Sequence, residues 1–216
     1  MDYFAMLKDN LQFLKWFYEQ SVAPFKDIKR KIDAQEDPYI SRGDYESEEP
    51  PFLSEWLDAD DALKLQGQSC LSLLQRSFRE YLDSTVTRHP ETRPEKKGNW
   101  FVNYKRWFLE EAAVDWDKSP VPLDRIEELT IARNCVEHGS GSIYDAHRLV
   151  KEQAENYHDR FPDAMFASEF ERTLWKEAGD PQPVTIELTP EKLDSAIANI
   201  LAFATFIEEK LPAWMY

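Results

Sequence analysis

The sequence predicts an all-α fold, a bundle of long antiparallel helices with at most one minor strand pair. Three observations predict it. Apolar residues recur every three or four positions through most of the 216 residues, the period of a helix buried along one face. The 13 prolines fall between or at the starts of those stretches, Pro24 apart. Strict alternation of apolar and polar residues is confined to 184–188, so little of the chain reads as strand.

Phe4, Leu7, Leu11, Leu14, Tyr18, Ser21, Phe25, Ile28 and Ile32 make a heptad-like stripe, suited to packing along another long helix. Pro24 has no N–H to offer a helix interior, so a kink or break is expected near Val22. The acidic segment 36–53, with Pro38, Gly43, Pro50 and Pro51, reads as a loop. A second long helix is expected from Ser54 or Asp58 to about Thr85. Its stripe is Leu63, Gly67, Cys70, Leu71, Leu74, Phe78, Tyr81 and Leu82. Gly67 lowers helix propensity there by roughly 1 kcal/mol against Ala and admits close approach of another helix.

Residues 86–99 form a basic loop with Pro90, Pro94 and Gly98. An aromatic-rich helix follows, from about Trp100 to Val114, its aromatics expected in the core. Pro120 and Pro122 introduce a helix over 123–138. Beyond it a helix is expected over 144–157, closed by Pro162. An irregular insertion, 160–189, then carries a helix over 164–177 and a short strand over 184–188, paired with 141–144. Thr189 caps the last helix, Pro190 takes its first position, and Leu193, Ile197, Ile200, Ala204, Ile207 and Leu211 supply its buried face. No internal repeat or low-complexity tract divides the chain, which reads as one domain, 1–216.

With 42% hydrophobic and 13% aromatic residues the chain has enough apolar material for a core. Its formal charge of −15 argues against broad, sequence-independent binding to nucleic acid, although a local cleft on an acidic protein can still be basic. Acidity also suits a basic partner. Two cysteines, Cys70 and Cys135, do not make a disulfide framework, which points to a reducing cytoplasm. The first residues lack the basic and continuous apolar regions of a signal peptide, and no run approaches a membrane span. His89, His147 and His158 lack close metal-ligating neighbours, so no metal is expected. No phosphate-cradling glycine loop or nucleophile elbow occurs.

The densest chemistry lies in Arg133-Asn134-Cys135-Val136-Glu137-His138-Gly139. Arg133 shares the apolar stripe of Ile126, Leu129 and Val136, where a cation needs an anion to meet it. Asn134 and His138 lie one turn apart on one face. Gly139 suits the left-handed residue that closes a helix, leaving His138 beside the negative end of the dipole. That position favours the imidazolium and brings its titration towards neutrality, where proton transfer is most effective. Residues five apart on a helix point about 140° from each other. Arg133 and His138 therefore converge only if the helix loosens at Gly139 or a second protomer completes the site, which favours a dimer.

Arg-Asn followed by three residues and His-Gly resembles the Arg-X4-6-His motif of HEPN domains, named for higher eukaryotes and prokaryotes nucleotide-binding. The resemblance implies a small all-α domain that cleaves RNA without a metal or cofactor, in bacterial defence or a toxin–antitoxin pair. It also implies a homodimer with a composite cleft and, in some systems, an antitoxin protein as partner. Arg133, Asn134 and His138 match the motif and become the expected catalytic residues. His138 would move the proton of the RNA 2′-hydroxyl or of the leaving 5′-oxygen. Arg133 would stabilise the phosphorane-like charge, and Asn134 would orient His138 or donate to a phosphate oxygen. Ser140 stands where toxins of this family that end His-X-Tyr carry a modifiable tyrosine. Glu137 adds negative charge beside His138. The alternative is a catalytically silent HEPN-like module that binds a nucleotide or a partner protein.

The stretch 76–106 is basic and interleaved with aromatics: Arg76, Arg79, Arg88, Arg93, Lys96, Lys97, Lys105 and Arg106, with Trp100, Phe101, Tyr104 and Trp107. Phosphate contacts and base stacking could hold single-stranded RNA there. Arg88, Arg93, Lys96 and Lys97 are the expected RNA-contacting residues.

Overall fold

A helix with an apolar residue every third or fourth position needs a neighbour along its whole length. The first helix, α1 (Tyr3–Asp33), finds that neighbour in the second, α2 (Leu53–Val86). The computed structural model describes residues 2–41, 49–89, 91–97, 99–138, 165–166 and 186–215, without the side chains of Glu137, His138 and Trp214. Leu7, Leu11, Leu14, Tyr18 and Val22 of α1 are buried, as are Cys70, Leu71, Leu74, Phe78, Tyr81 and Leu82 of α2. The two run antiparallel. At one end Lys29 pairs with Asp60, and the Trp56 indole N–H donates to Asp33 at 3.0 Å. At the other end the Phe4 and Tyr81 rings lie 6.4 Å apart.

The break expected at Pro24 does not occur: α1 continues helical through it. Pro24 and Gln20, whose carbonyl loses its donor, are both exposed, so water can satisfy that oxygen. Tyr18 and Val22 on the opposite side stay packed and hold the helix line.

The last helix, α5 (Pro190–Lys210), lies antiparallel to α1 and parallel to α2. Lys15 pairs with Asp194 at 2.6 Å, while the Tyr81 hydroxyl donates to Ala204 O at 3.3 Å and Glu208 Oε1 at 3.0 Å. Its start follows the expected cap, with Thr189 Oγ1 accepting from Lys192 N at 3.3 Å. Gly67 does permit a close approach, but not of a helix. A Cβ at Gly67 would sit 3.2 Å from that of Leu188, in the segment entering α5.

A short aromatic helix, α3 (Trp100–Ala112), is capped by Asn99 and ended by Ala113, whose φ of 56° is left-handed. Phe101, Tyr104, Trp107 and Phe108 are buried, so these aromatics are core as expected. A 3-10 turn follows and places Trp116 among Phe101, Phe108 and Phe203 at centroid distances of 5.4, 5.2 and 5.0 Å. The chain then enters α4 (Leu123–His138), whose residues 126–130 are all buried.

The insertion differs from expectation where it is described. Met165 and Phe166, expected in a helix over 164–177, form a bend. Of the expected strand over 184–188, residues 184 and 185 lie outside the described residues; Ile186 forms a bridge, 187 and 188 are not strand, and the Glu187 N–H donates to Phe166 O at 2.8 Å. The expected pairing segment 141–144 and helix 144–157 lie outside the described residues. None of the described helices is long and apolar enough to cross a membrane.

Candidate functional site

Helix α4 positions the motif. Its middle, 126–130, is enclosed on every side, so the helix behaves as a central post rather than a surface helix. Two carboxylates lie in that enclosed stretch, Glu127 and Glu128. Glu128 Oε1 accepts the N–H of Phe166 at 3.1 Å and that of Met165 at 2.5 Å, and Oε2 accepts from Arg125 at 3.3 Å. A buried carboxylate is tolerated when several donors converge on it. Glu128 thus ties the chain beyond the motif back onto α4.

One turn further on, burial relaxes. Arg133 and Asn134 are half-buried, and Arg133 Nη1 donates to Asn134 Oδ1 at 3.0 Å. Arg133 lines a cleft of about 350 Å3 against α2, together with Ser72, Gln75, Arg76, Arg79 and Glu80. Three guanidinium groups and one carboxylate therefore face a single hollow on a chain of net charge −15. Arg76 and Arg79 stand three residues apart, so one helical face presents both. Arg76 pairs with Glu80 at 2.8 Å and Arg79 with Asp83 at 3.2 Å, all on the solvent side.

Arg79 has a second environment. Its guanidinium lies 4.4 Å over the ring of Trp100 and 4.4 Å over that of Tyr104. Stacking on aromatic faces orients a guanidinium while leaving its N–H edges for an anion. The Tyr104 hydroxyl bonds to Asp83; burial, and then that carboxylate, push the phenol well above its ordinary range. The cleft is thus lined by α2 and α4, and two rings of α3 lie under the guanidinium of Arg79.

His138 ends α4 five residues beyond Arg133, about 7.5 Å further along the axis. Gly139, expected to close the helix, lies outside the described residues. The four basic-loop residues expected to touch RNA are not in this cleft. Arg88 follows α2 roughly 18 Å along its axis from Arg76. Its guanidinium meets Glu208 at 3.3 Å and lies 5.2 Å over Tyr3, joining α1, α2 and α5. Arg93 donates to the carbonyls of His89 and Thr92, both at 2.6 Å. Lys96 and Lys97 are exposed. His89 Nδ1 accepts from Thr92 N at 3.1 Å, and Thr92 Oγ1 takes the Trp107 indole N–H at 3.0 Å, so the loop is stapled to α3.

Sequence reasoning placed Arg76 and Arg79 in a basic stretch but did not pair them with Arg133. Their spacing shows only that they share a face of α2, not which helix that face approaches. Glu128 carries no sequence mark at all, because a glutamate in a helix normally faces water.

Cys135 lies between Asn134 and Val136, and burial pushes its thiol up to about 11; burial does the same to Cys70. Both are neutral thiols near neutral pH, which removes Cys135 as a nucleophile. The expected result is that neither thiol of the folded protein reacts with an aromatic disulfide reagent at about pH 8 at a free-thiol rate, while both react in urea. Rapid labelling of Cys135 in the folded chain would contradict this. Among the described residues no three His, Cys, Asp or Glu groups lie together as a metal site.

Comparison of the chain with family models, curated proteins and solved structures found no match.

Proposed function

We propose that this chain is a HEPN-like, metal-independent endoribonuclease acting as a homodimer in a bacterial defence or toxin–antitoxin setting. The observation that carries the reading is the convergence of Arg133 with Arg76 and Arg79 on one cleft. Guanidinium groups gathered on one cleft offer the forked N–H donors that suit phosphate oxygens. Arg76 and Arg79 would hold backbone phosphates on either side of the scissile bond, and Arg133 the phosphate that reacts.

RNA brings its own nucleophile. The 2′-oxygen attacks the adjacent phosphorus as its proton passes to one His138, and the P–O5′ bond breaks. The 5′-oxygen receives a proton from His138 of a second copy. A cyclic phosphate and a 5′-hydroxyl result. Asn134, bonded to Arg133, would hold that guanidinium in place.

The test compares wild type with His138→Ala and Arg133→Ala on several RNAs. His138→Ala is expected to lower cleavage by about 10²–10⁴-fold with RNA binding retained, the usual contribution of an acid–base group. Arg133→Ala is expected to weaken both. Three phosphate contacts predict a log–log salt slope of about −2 for single-stranded RNA. Cleavage that is equal in all three proteins, with folding intact by circular dichroism, would rule the mechanism out.

Glu80, which lines the same cleft, favours the second reading, a HEPN-like module that binds a nucleotide or partner protein without cutting. Under it, wild type and His138→Ala bind alike and neither cleaves.

A further inference from the structure

The end of α1, the start of α2 and the residues next to each line a hollow of about 390 Å3. That volume lies in the range of small-molecule sites, about 300–1,000 Å3. Three aromatic side chains belong to the lining: Tyr39, Phe52 and Trp56. The Tyr39 and Phe52 rings stand edge to face, 5.3 Å apart at 80°, so they make two adjoining walls. Trp56 lies one turn further on, its backbone N–H donating to the Phe52 carbonyl at 3.0 Å. Its indole N–H is held by Asp33, the one Asp, Glu, Lys or Arg side chain of the lining.

Backbone strain is concentrated in the same place. Phe52 has a φ of 60° and Gln35 one of 52°, and both line the hollow. Ala113 is the only other non-glycine residue with a positive φ among the described residues. A left-handed aromatic residue is uncommon, and such strained residues gather where a ligand needs a preformed wall. Hydrogen bonds fix the approach to the hollow: the Tyr39 N–H donates to Glu36 O at 2.7 Å and the Glu36 N–H to Lys31 O at 2.9 Å.

Charge selects the ligand. The nearby cations already have carboxylates, Lys29 with Asp60, Arg30 with Asp27 and Glu36, and Lys31 with Asp27. Asp33 forms no ion pair among the described residues, and its printed bond is to a neutral indole. An anion would find no lysine or arginine in the lining. A neutral apolar ligand would sit against the Asp33 carboxylate without using its charge. The Trp56 ring already serves a cation from outside the lining, with Lys29 Nζ 3.7 Å from its centroid.

We propose that this hollow binds a small organic cation free in solution, an N-methylated ammonium. Its methyl groups would lie among the three rings, whose faces attract a positive charge spread over them. The Asp33 carboxylate would stand opposite that charge. The site lies roughly 30 Å along α2 from Arg76, so it is separate from the arginine cleft and independent of the nuclease reading.

The experiment titrates choline, glycine betaine and 3,3-dimethylbutanol, the uncharged carbon analogue of choline, into the full chain by isothermal calorimetry. Choline is expected to bind with a dissociation constant of about 1 mM or below, within reach of a ligand of its size. The neutral analogue is expected to bind about tenfold more weakly, since it keeps the shape and loses the attraction to the rings. Betaine, whose own carboxylate meets Asp33, is expected to bind more weakly than choline. Asp33→Asn keeps an oxygen for the Trp56 indole and removes the charge, so it is expected to weaken choline about fivefold and leave the neutral analogue unchanged. Tyr39→Leu exchanges a ring for an aliphatic side chain and is expected to weaken choline about tenfold, with helical content unchanged by circular dichroism. No heat of choline binding in the low millimolar range, equal binding of choline and its neutral analogue, or choline binding unchanged in Asp33→Asn or in Tyr39→Leu each overturns the proposal. A trimethyllysine peptide that binds more tightly than choline would make a protein partner the source of the cation, and equally overturns it.

Discussion

Trp116→Ala is expected to destabilise the protein by about 3–5 kcal/mol, the range for deleting a large aromatic from a closed core. For a chain of this size that is a fall of roughly 10 °C in thermal midpoint. Trp116 has no exposed surface, and rings from α3 and α5 surround it. Phe203, one of those rings, also packs 6.0 Å from Phe78 of α2. Removing the indole therefore opens a void where three helices meet, and none of them can collapse into it without leaving the others. One detail sharpens the test. The buried Trp116 indole N–H has no hydrogen-bond partner among the described residues. An unpaired buried donor costs about 1–3 kcal/mol. Trp116→Phe gives up volume but also that penalty, so it is expected to lose far less than the alanine variant. Urea denaturation of the three proteins reads both effects. An alanine variant within about 1 kcal/mol of wild type would mean that Trp116 is not the keystone of this cluster.

Glu128→Ala carries the other large effect, also about 3–5 kcal/mol, as expected when one partner of a buried charged network is removed. The truncation leaves the Met165 and Phe166 N–H groups without their acceptor and takes a carboxylate from Arg125. Phe166, fully buried, in turn accepts from Glu187 just before α5. The damage is therefore expected to spread from α4 to the entry of α5. Glu128→Gln keeps one carbonyl oxygen for the two N–H groups and loses the charge facing Arg125, so it is expected to fall between wild type and alanine. Hydrogen exchange separates this from a general loss of stability. The Phe166 and Glu187 amides should lose protection by more than the core amides of α1. Uniform loss across the chain would mean that Glu128 is not a local tie.

The ends of the helices were readable because their causes are local. Asn99 and Thr189 accept the first N–H groups of α3 and α5 through their own side chains. Pro24 misled for a related reason. The missing N–H is a local fact, but its cost depends on which face of α1 meets water, and that is decided by α2. Of the short strand only the bridge at Ile186 stands among the described residues, because alternation over five residues says only that two faces differ, not that another strand lies alongside. At the motif, the period of α4 placed Arg133 on the inward stripe, and the structure finds it half-buried there with Asn134 as a partner. Charge along the chain pointed to Arg88, Arg93, Lys96 and Lys97, which lie outside the cleft that Arg76 and Arg79 line with Arg133.

What the sequence determined alone is the all-α class, the presence of α1 to α5 and the inward side of α1, α2, α3 and α5, because period, caps and breakers act within a few residues. Tertiary structure decided what no local rule reaches. It chose the face of α2 that turns its arginines towards Arg133, and the enclosure that makes Glu128 an internal tie. It also brought Tyr39, Phe52 and Trp56 to one hollow. Each of these depends on which residues far apart in the chain come together, set by how whole helices share one core rather than by any neighbour in sequence.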